Sequence, residues 1–135
     1  MLPLRQGRIV YTVVFDKQGK NPKRRPVILI TPPDDVPEGQ PLLGVAVSTQ
    51  PTDPLRSEEV RLPSNRRKQG STQLPERCAA VCDWAVQFYE KDIEEVGGMI
   101  YGSLLLEIVK KVVPHIAKAQ PPIQPPSAES SDEPT

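Results

Sequence analysis

Apolar residues in the first two thirds of the chain fall in short alternating or continuous runs, and only near the C-terminal end do they recur every three or four positions. The first run, Arg8 to Phe15, is β-branched and aromatic and closes at Asp16-Lys17-Gln18-Gly19, so it predicts a strand and a turn. A loop carrying Gly19, Asn21 and Pro22 leads to a second strand over Pro26 to Thr31, which Pro32-Pro33-Asp34-Asp35 must end. A third strand is predicted over Leu42 to Thr49, before Pro51 and Pro54, and a short one near Glu59 to Leu62. The polar, basic loop Pro63 to Glu76 follows. Arg77 to Trp84 reads as a further strand, Val86 to Tyr89 as its extension, and Glu90 to Glu95 as an acidic turn. Helical spacing appears at Leu105, Ile108, Val109, Val112, Val113 and Ile116, with Ser103 as the expected cap and Pro114 as the point of ending or kinking. Short strands with turn signals and one terminal helix predict a mainly β fold, a small antiparallel barrel or half-open sheet.

Composition narrows this picture. With 135 residues there is enough chain for one domain with a modest core. Beyond Lys118 the sequence turns to Pro, Gln, Ser and acids, so the expected division is a domain over 1–117 and a disordered Pro-rich acidic tail over 118–135. Formal charge is zero but unevenly spread: residues 1–77 hold 13 Lys/Arg against 8 Asp/Glu, and residues 78–135 hold 4 against 9. A basic first half suits contact with nucleic acid on one face, while overall neutrality argues against a strong nonspecific polyelectrolyte binder. No run of 18 apolar residues is present, and Met1 to Gly7 lacks the features of a signal peptide, which predicts a cytoplasmic protein with no membrane segment. Cys78 and Cys82, with His115 far away in sequence, make a poor zinc site, and no metal or other cofactor is expected. On a strand the two thiols share one face roughly 13 Å apart, too far for a disulfide, so both should be buried and free.

The candidate chemistry begins at Lys23-Arg24-Arg25-Pro26, three cations running into an apolar strand. Pro26 biases Arg25 toward extended backbone, and an Arg at a strand start is better aimed than one on a loop. Strand three ends in Ser48-Thr49-Gln50, so two strand ends offer a guanidinium and two hydroxyls, an arrangement able to hold an RNA phosphate. Each element also has a plainer reading: the cations solvate a sheet edge, and the hydroxyls cap a turn before Pro51. Trp84, Phe88 and Tyr89 pack as core against the helix or a partner copy, or offer stacking platforms for unpaired bases.

The order of these features resembles the MazF and PemK (Kid) toxins of bacterial toxin-antitoxin systems, over about Gly7 to Val113. Gly7-Arg8-Ile9-Val10 looks like the family's opening strand, and Arg25-Pro26-Val27-Ile28-Leu29-Ile30 like its most recognisable segment. Val47-Ser48-Thr49-Gln50 resembles the strand-end motif that usually carries Thr where Ser48 stands. Val81-Cys82-Asp83-Trp84 resembles a later strand with an acidic residue, and Gly102-Ser103-Leu104 the start of the final helix.

The resemblance implies an SH3-like barrel and a sequence-selective, metal-independent endoribonuclease acting on single-stranded RNA through the neighbouring 2′-hydroxyl. Arg25 would neutralise the phosphorane, and Ser48 and Thr49 would donate hydrogen bonds to it. Asp83 matches the acidic residue of the PemK branch, as general base, or else as a carboxylate paired with a neighbouring Lys or Arg. Lys23, Arg24, Gln50, Arg66, Arg67 and Lys68 would bind RNA. That branch has an Arg two residues before the acid; Val81 stands here, so the catalytic cation must come from Arg25 or the Arg66-Arg67-Lys68 loop. Implied partners are a second copy, forming a homodimer, and a cognate antitoxin with an acidic segment. The alternatives are a non-catalytic SH3-like binding module and a gyrase-poisoning toxin of the CcdB type.

Overall fold

The computed structural model of the chain describes residues 3–63 and 78–123. Six strands arise: β1 (Arg8–Val14), β2 (Lys23–Thr31), β3 (Leu42–Ser48), β4 (Glu59–Arg61), β5 (Ala79–Phe88) and β6 (Glu95–Met99). All pair antiparallel in the order β4-β5-β3-β2-β1-β6, and one helix, α1 (Gly102–Val112), follows. The mainly β architecture with a terminal helix is the one the sequence predicts.

Both faces of the sheet are buried, because it curls. On one face Ile9, Ile28, Val45, Ala80 and Cys82 pack against Ile108 and Val112 of α1. On the other, inside the curl, Val10, Val27, Leu29, Ala46, Val81 and Trp84 pack together. The Trp84 indole Nε1 donates across this interior to the Phe15 carbonyl at 3.3 Å, joining β5 to the end of β1. Close strand approach needs Gly44, where a Cβ would collide with the Val27 side chain and crowd the Ile28 carbonyl and the Phe88 ring.

Several local expectations are corrected. β2 begins at Lys23, so the cationic run is already strand, paired with Val14, Val13 and Thr12. Pro26 is tolerated because β3 pairs with β2 only from Val27 onward. The two β5 candidates form one strand with a bulge: Val45 faces Ala85 and Val47 faces Ala80, so β5 spends Val81 to Trp84 where β3 spends Ala46 alone. β6 is not among the expected strands: its first residue, Glu95, falls in the expected acidic turn, and Gly97 and Gly98 erase the alternation of the rest. Ser103 does not cap α1; it lies inside the helix, and Tyr101, at the capping position before Gly102, makes no side-chain cap bond. At Pro114 the chain tightens into a 3-10 helix, Val113–Lys118. Beyond it Gln120 still bonds to β5, through its amide to the Ala85 carbonyl and its carbonyl to the Gln87 amide.

Candidate functional site

The strand alternation that buries Val27 divides the cations. Arg24 leaves on one side, lies over the Tyr11 ring at 4.8 Å, and ion-pairs with Glu94 at 3.2 Å and with Glu95. That pairing leaves it poorly placed to meet RNA. Arg25 leaves on the opposite side, toward the open end of the curl. Its Nε donates to the Val14 carbonyl at 3.3 Å and its Nη2 to the Asn21 carbonyl at 3.0 Å, while the guanidinium lies 5.4 Å from the Trp84 ring centre. Asn21 presents its carbonyl from a left-handed backbone, φ 50°, in a hairpin that Asp16 organises through bonds to the Gln18 and Lys20 amides and the Asn21 side chain. Arg25 is therefore rigidly held by neutral acceptors and makes no ion pair among the described residues, so its charge and remaining N–H groups stay available to an anion. Lys23 is exposed at the start of the same strand.

Ser48 reaches this end as well. Val27 pairs with Ala46, and by strand alternation Arg25, two residues before Val27, and Ser48, two residues after Ala46, belong to the side that this pair shares. Ser48 Oγ accepts the Gln50 amide at 3.0 Å, which turns the chain, so the capping role and the exposed hydroxyl coexist. Thr49 and Gln50 line a cavity of about 230 Å³ with Thr52, Asp53 and Arg61. A larger cavity of about 800 Å³, lined by Pro33, Val36, Leu42 and Tyr89 among others, lies at the other end of β2 and β3. Arg66, Arg67 and Lys68 lie outside the described residues.

Asp83 sits in the β5 bulge, and its carboxylate is saturated. Arg56 grips it with two hydrogen bonds, Nη1 to Oδ2 at 3.1 Å and Nη2 to Oδ1 at 3.0 Å, and Lys17 Nζ reaches Oδ2 at 2.8 Å. Burial alone would raise its pKa, yet the bonds from Arg56 and Lys17 override that and bring it down to about 2. The ion-paired reading matches this geometry, and a carboxylate held this low is a weak proton acceptor. Arg56 itself is held in shape from behind. Glu59, buried, accepts from the Arg56 amide at 3.0 Å and from the Thr52 hydroxyl at 2.5 Å. From α1 and the 3-10 turn beyond it, Lys111 Nζ donates to the Ser57 carbonyl at 2.8 Å and the His115 ring meets Glu58 at 3.2 Å.

Arg56 and Lys17 were not singled out from the sequence, and only Lys17 had a local signal, its place in the turn after β1. Trp84 is core, but in the interior cluster rather than against α1 as expected, and its ring carries Arg25. Cys78 and Cys82 are buried and free, as expected, and desolvation pushes the Cys82 thiol up to about 12.

No protein-family model and no curated protein matches the chain. Solved structures do. The chain superposes on the MazE-MazF structure from Deinococcus radiodurans with a TM-score of 0.60 and 15% identity, over 88% of this chain and 100% of that one. It superposes on the Mycobacterium tuberculosis toxin MazF-mt6 with a TM-score of 0.55 and 16% identity, over 82% and 97%. The curled six-stranded antiparallel sheet with its terminal helix is thus the fold of the MazF toxins.

Proposed function

We propose that this chain is a toxin of the MazF/PemK kind, a metal-independent endoribonuclease that cuts single-stranded RNA at selected sequences and is silenced by a cognate antitoxin. The observation that carries the reading is Arg25, a guanidinium hydrogen-bonded only to neutral carbonyls, set over Trp84 on the side of the sheet to which Ser48 also belongs. In this mechanism Arg25 neutralises the phosphorane formed when the neighbouring 2′-hydroxyl attacks phosphorus, and Ser48 and Thr49 donate hydroxyl hydrogen bonds to its oxygens. As the bond from the 2′-oxygen to phosphorus forms, the 2′-hydroxyl proton passes to water; as the bond to the 5′-oxygen breaks, that oxygen takes a proton from water, leaving a cyclic phosphate and a 5′-hydroxyl end. Lys23 and Gln50 extend the RNA surface on either side, and the cavity beside Thr49 has room for a base.

A homodimer in the cytoplasm is part of the proposal. Among the described residues the sheet ends in two edge strands, β4 and β6, and α1 with the turn beyond it exposes Leu106 and Val113, surface that a second copy would cover. An acidic antitoxin segment suits the cations at the open end of the curl. No helix among the described residues is long and apolar enough to cross a membrane.

The ion-paired Asp83 favours one rival, a module that binds RNA without cutting it. Incubating the protein with a long single-stranded RNA in EDTA, beside Arg25→Ala, decides between them. Discrete products with cyclic phosphate and 5′-hydroxyl ends, absent with Arg25→Ala, are expected. Salt-sensitive binding with intact RNA would select the binding module, and gyrase inhibition without RNA affinity the poisoning reading.

A further inference from the structure

Asp83 is the anchor of two cations, and what those cations do with their remaining donors is the open question. Arg56 spends one N–H of each terminal nitrogen on Asp83, and Lys17 one of its three. Asp83 and Glu59 together balance the charges of Arg56 and Lys17, but donors remain, one N–H on each terminal nitrogen of Arg56 and two on Lys17. Glu59, whose second oxygen lies 3.7 Å from Arg56 Nε, sits behind the guanidinium, engaged by Thr52 and the Arg56 amide. Lys17 lies two residues beyond Phe15, whose carbonyl Trp84 binds, and the Trp84 ring carries Arg25, so Trp84 links the Lys17–Asp83–Arg56 band to Arg25. Position 81 supplies no cation to this band, because the Val81 side chain is packed in the interior cluster opposite Glu59 of β4.

Resting on the ribonuclease reading, we propose that Arg56 and Lys17, oriented by Asp83, form a second phosphate subsite beside Arg25, binding the phosphodiester adjacent to the one that is cut. Arg56 then takes over from the loop the cationic duty that Val81 cannot perform in the strand. Asp83 is a positioning residue: it holds the Arg56 fork and the Lys17 ammonium at fixed points and touches no RNA. The loop is built for that task, since Glu59, Lys111 and His115 each hold a residue within Arg56 to Glu59.

The test uses an RNA containing the mapped cleavage site and 2′-O-methylated throughout, which offers no nucleophile, so binding is read apart from cleavage. Affinity is measured from low to moderate salt for the wild type, Arg56→Gln, Arg56→Lys and Arg25→Ala. Arg56→Gln should weaken binding about tenfold and flatten the salt slope by about 0.7, the loss of one phosphate contact on a single strand. Arg56→Lys should restore the slope but not the full affinity, because the fork is lost. Should Arg56→Gln misfold, its combination with Asp83→Asn leaves a neutral pair of similar shape and carries the same expectation. Unchanged affinity and slope in the Arg56 variants, with wild-type cleavage intact, would overturn the subsite and leave the ribonuclease reading standing. A wild type that neither binds nor cuts RNA would overturn both.

Discussion

Arg24 and Arg25 are neighbours with opposite fates, and the difference is one step of strand alternation. Arg24 meets Glu94 and Glu95, whereas Arg25 meets only carbonyls and an indole. Arg25→Lys should therefore lower cleavage about a hundredfold while the fold persists, since an ammonium cannot keep both carbonyl bonds and still reach the phosphorane; single-turnover rates check this. Asp83 gives a sharper prediction. Its carboxylate stays ionised down to about pH 2, so the pH profile of kcat/KM should show no acid limb from this group between pH 4 and 8. A limb near pH 5 that vanishes in Asp83→Asn would restore it as a base. The thiols need only a reagent: with Cys82 raised to about 12 and Cys78 raised by desolvation, both should resist a disulfide reagent in the native state and react on unfolding. Arg25 and Ser48 were legible in the sequence because strand parity and Pro26 are local signals. Arg56 was not, because its partner lies 27 residues away across a loop whose path no local pattern gives.

The strands with clean apolar runs, β1 to β4, were legible within a few residues. β5 was legible as two pieces, because its bulge from Val81 to Trp84 breaks the alternation, and β6 was lost to its glycines. Helix α1 was legible from its spacing, and its hold on the sheet can be measured. Ile108 is fully buried against that face, so Ile108→Ala should cost about 3 kcal/mol, read from urea unfolding. Gly44→Ala should cost about 1–3 kcal/mol by the same measurement, because the Val27 side chain, the Ile28 carbonyl and the Phe88 ring leave no room for a methyl.

Across the whole molecule, Asp83 ties together three segments distant in sequence: the β5 bulge, the β1–β2 hairpin through Lys17 and the β3–β4 loop through Arg56. Its pKa is lower when folded than the ordinary 3.8, so this stabilisation is complete above about pH 4 and is lost as pH falls toward 2. Thermal unfolding at pH 5 and pH 2.5 should show a larger loss for the wild type than for Asp83→Asn, which lacks the titrating group. By itself the sequence determined β1 to β5, the terminal helix and the buried thiols, because hydrophobic period and turn chemistry act over a few residues. Tertiary structure alone decided that Arg24 is paired and Arg25 open, that Asp83 is an anchor, and that Arg56 stands beside it. Those outcomes depend on how far the sheet curls and which loop it brings to the open end, and long-range closure of that kind leaves no local periodicity to read.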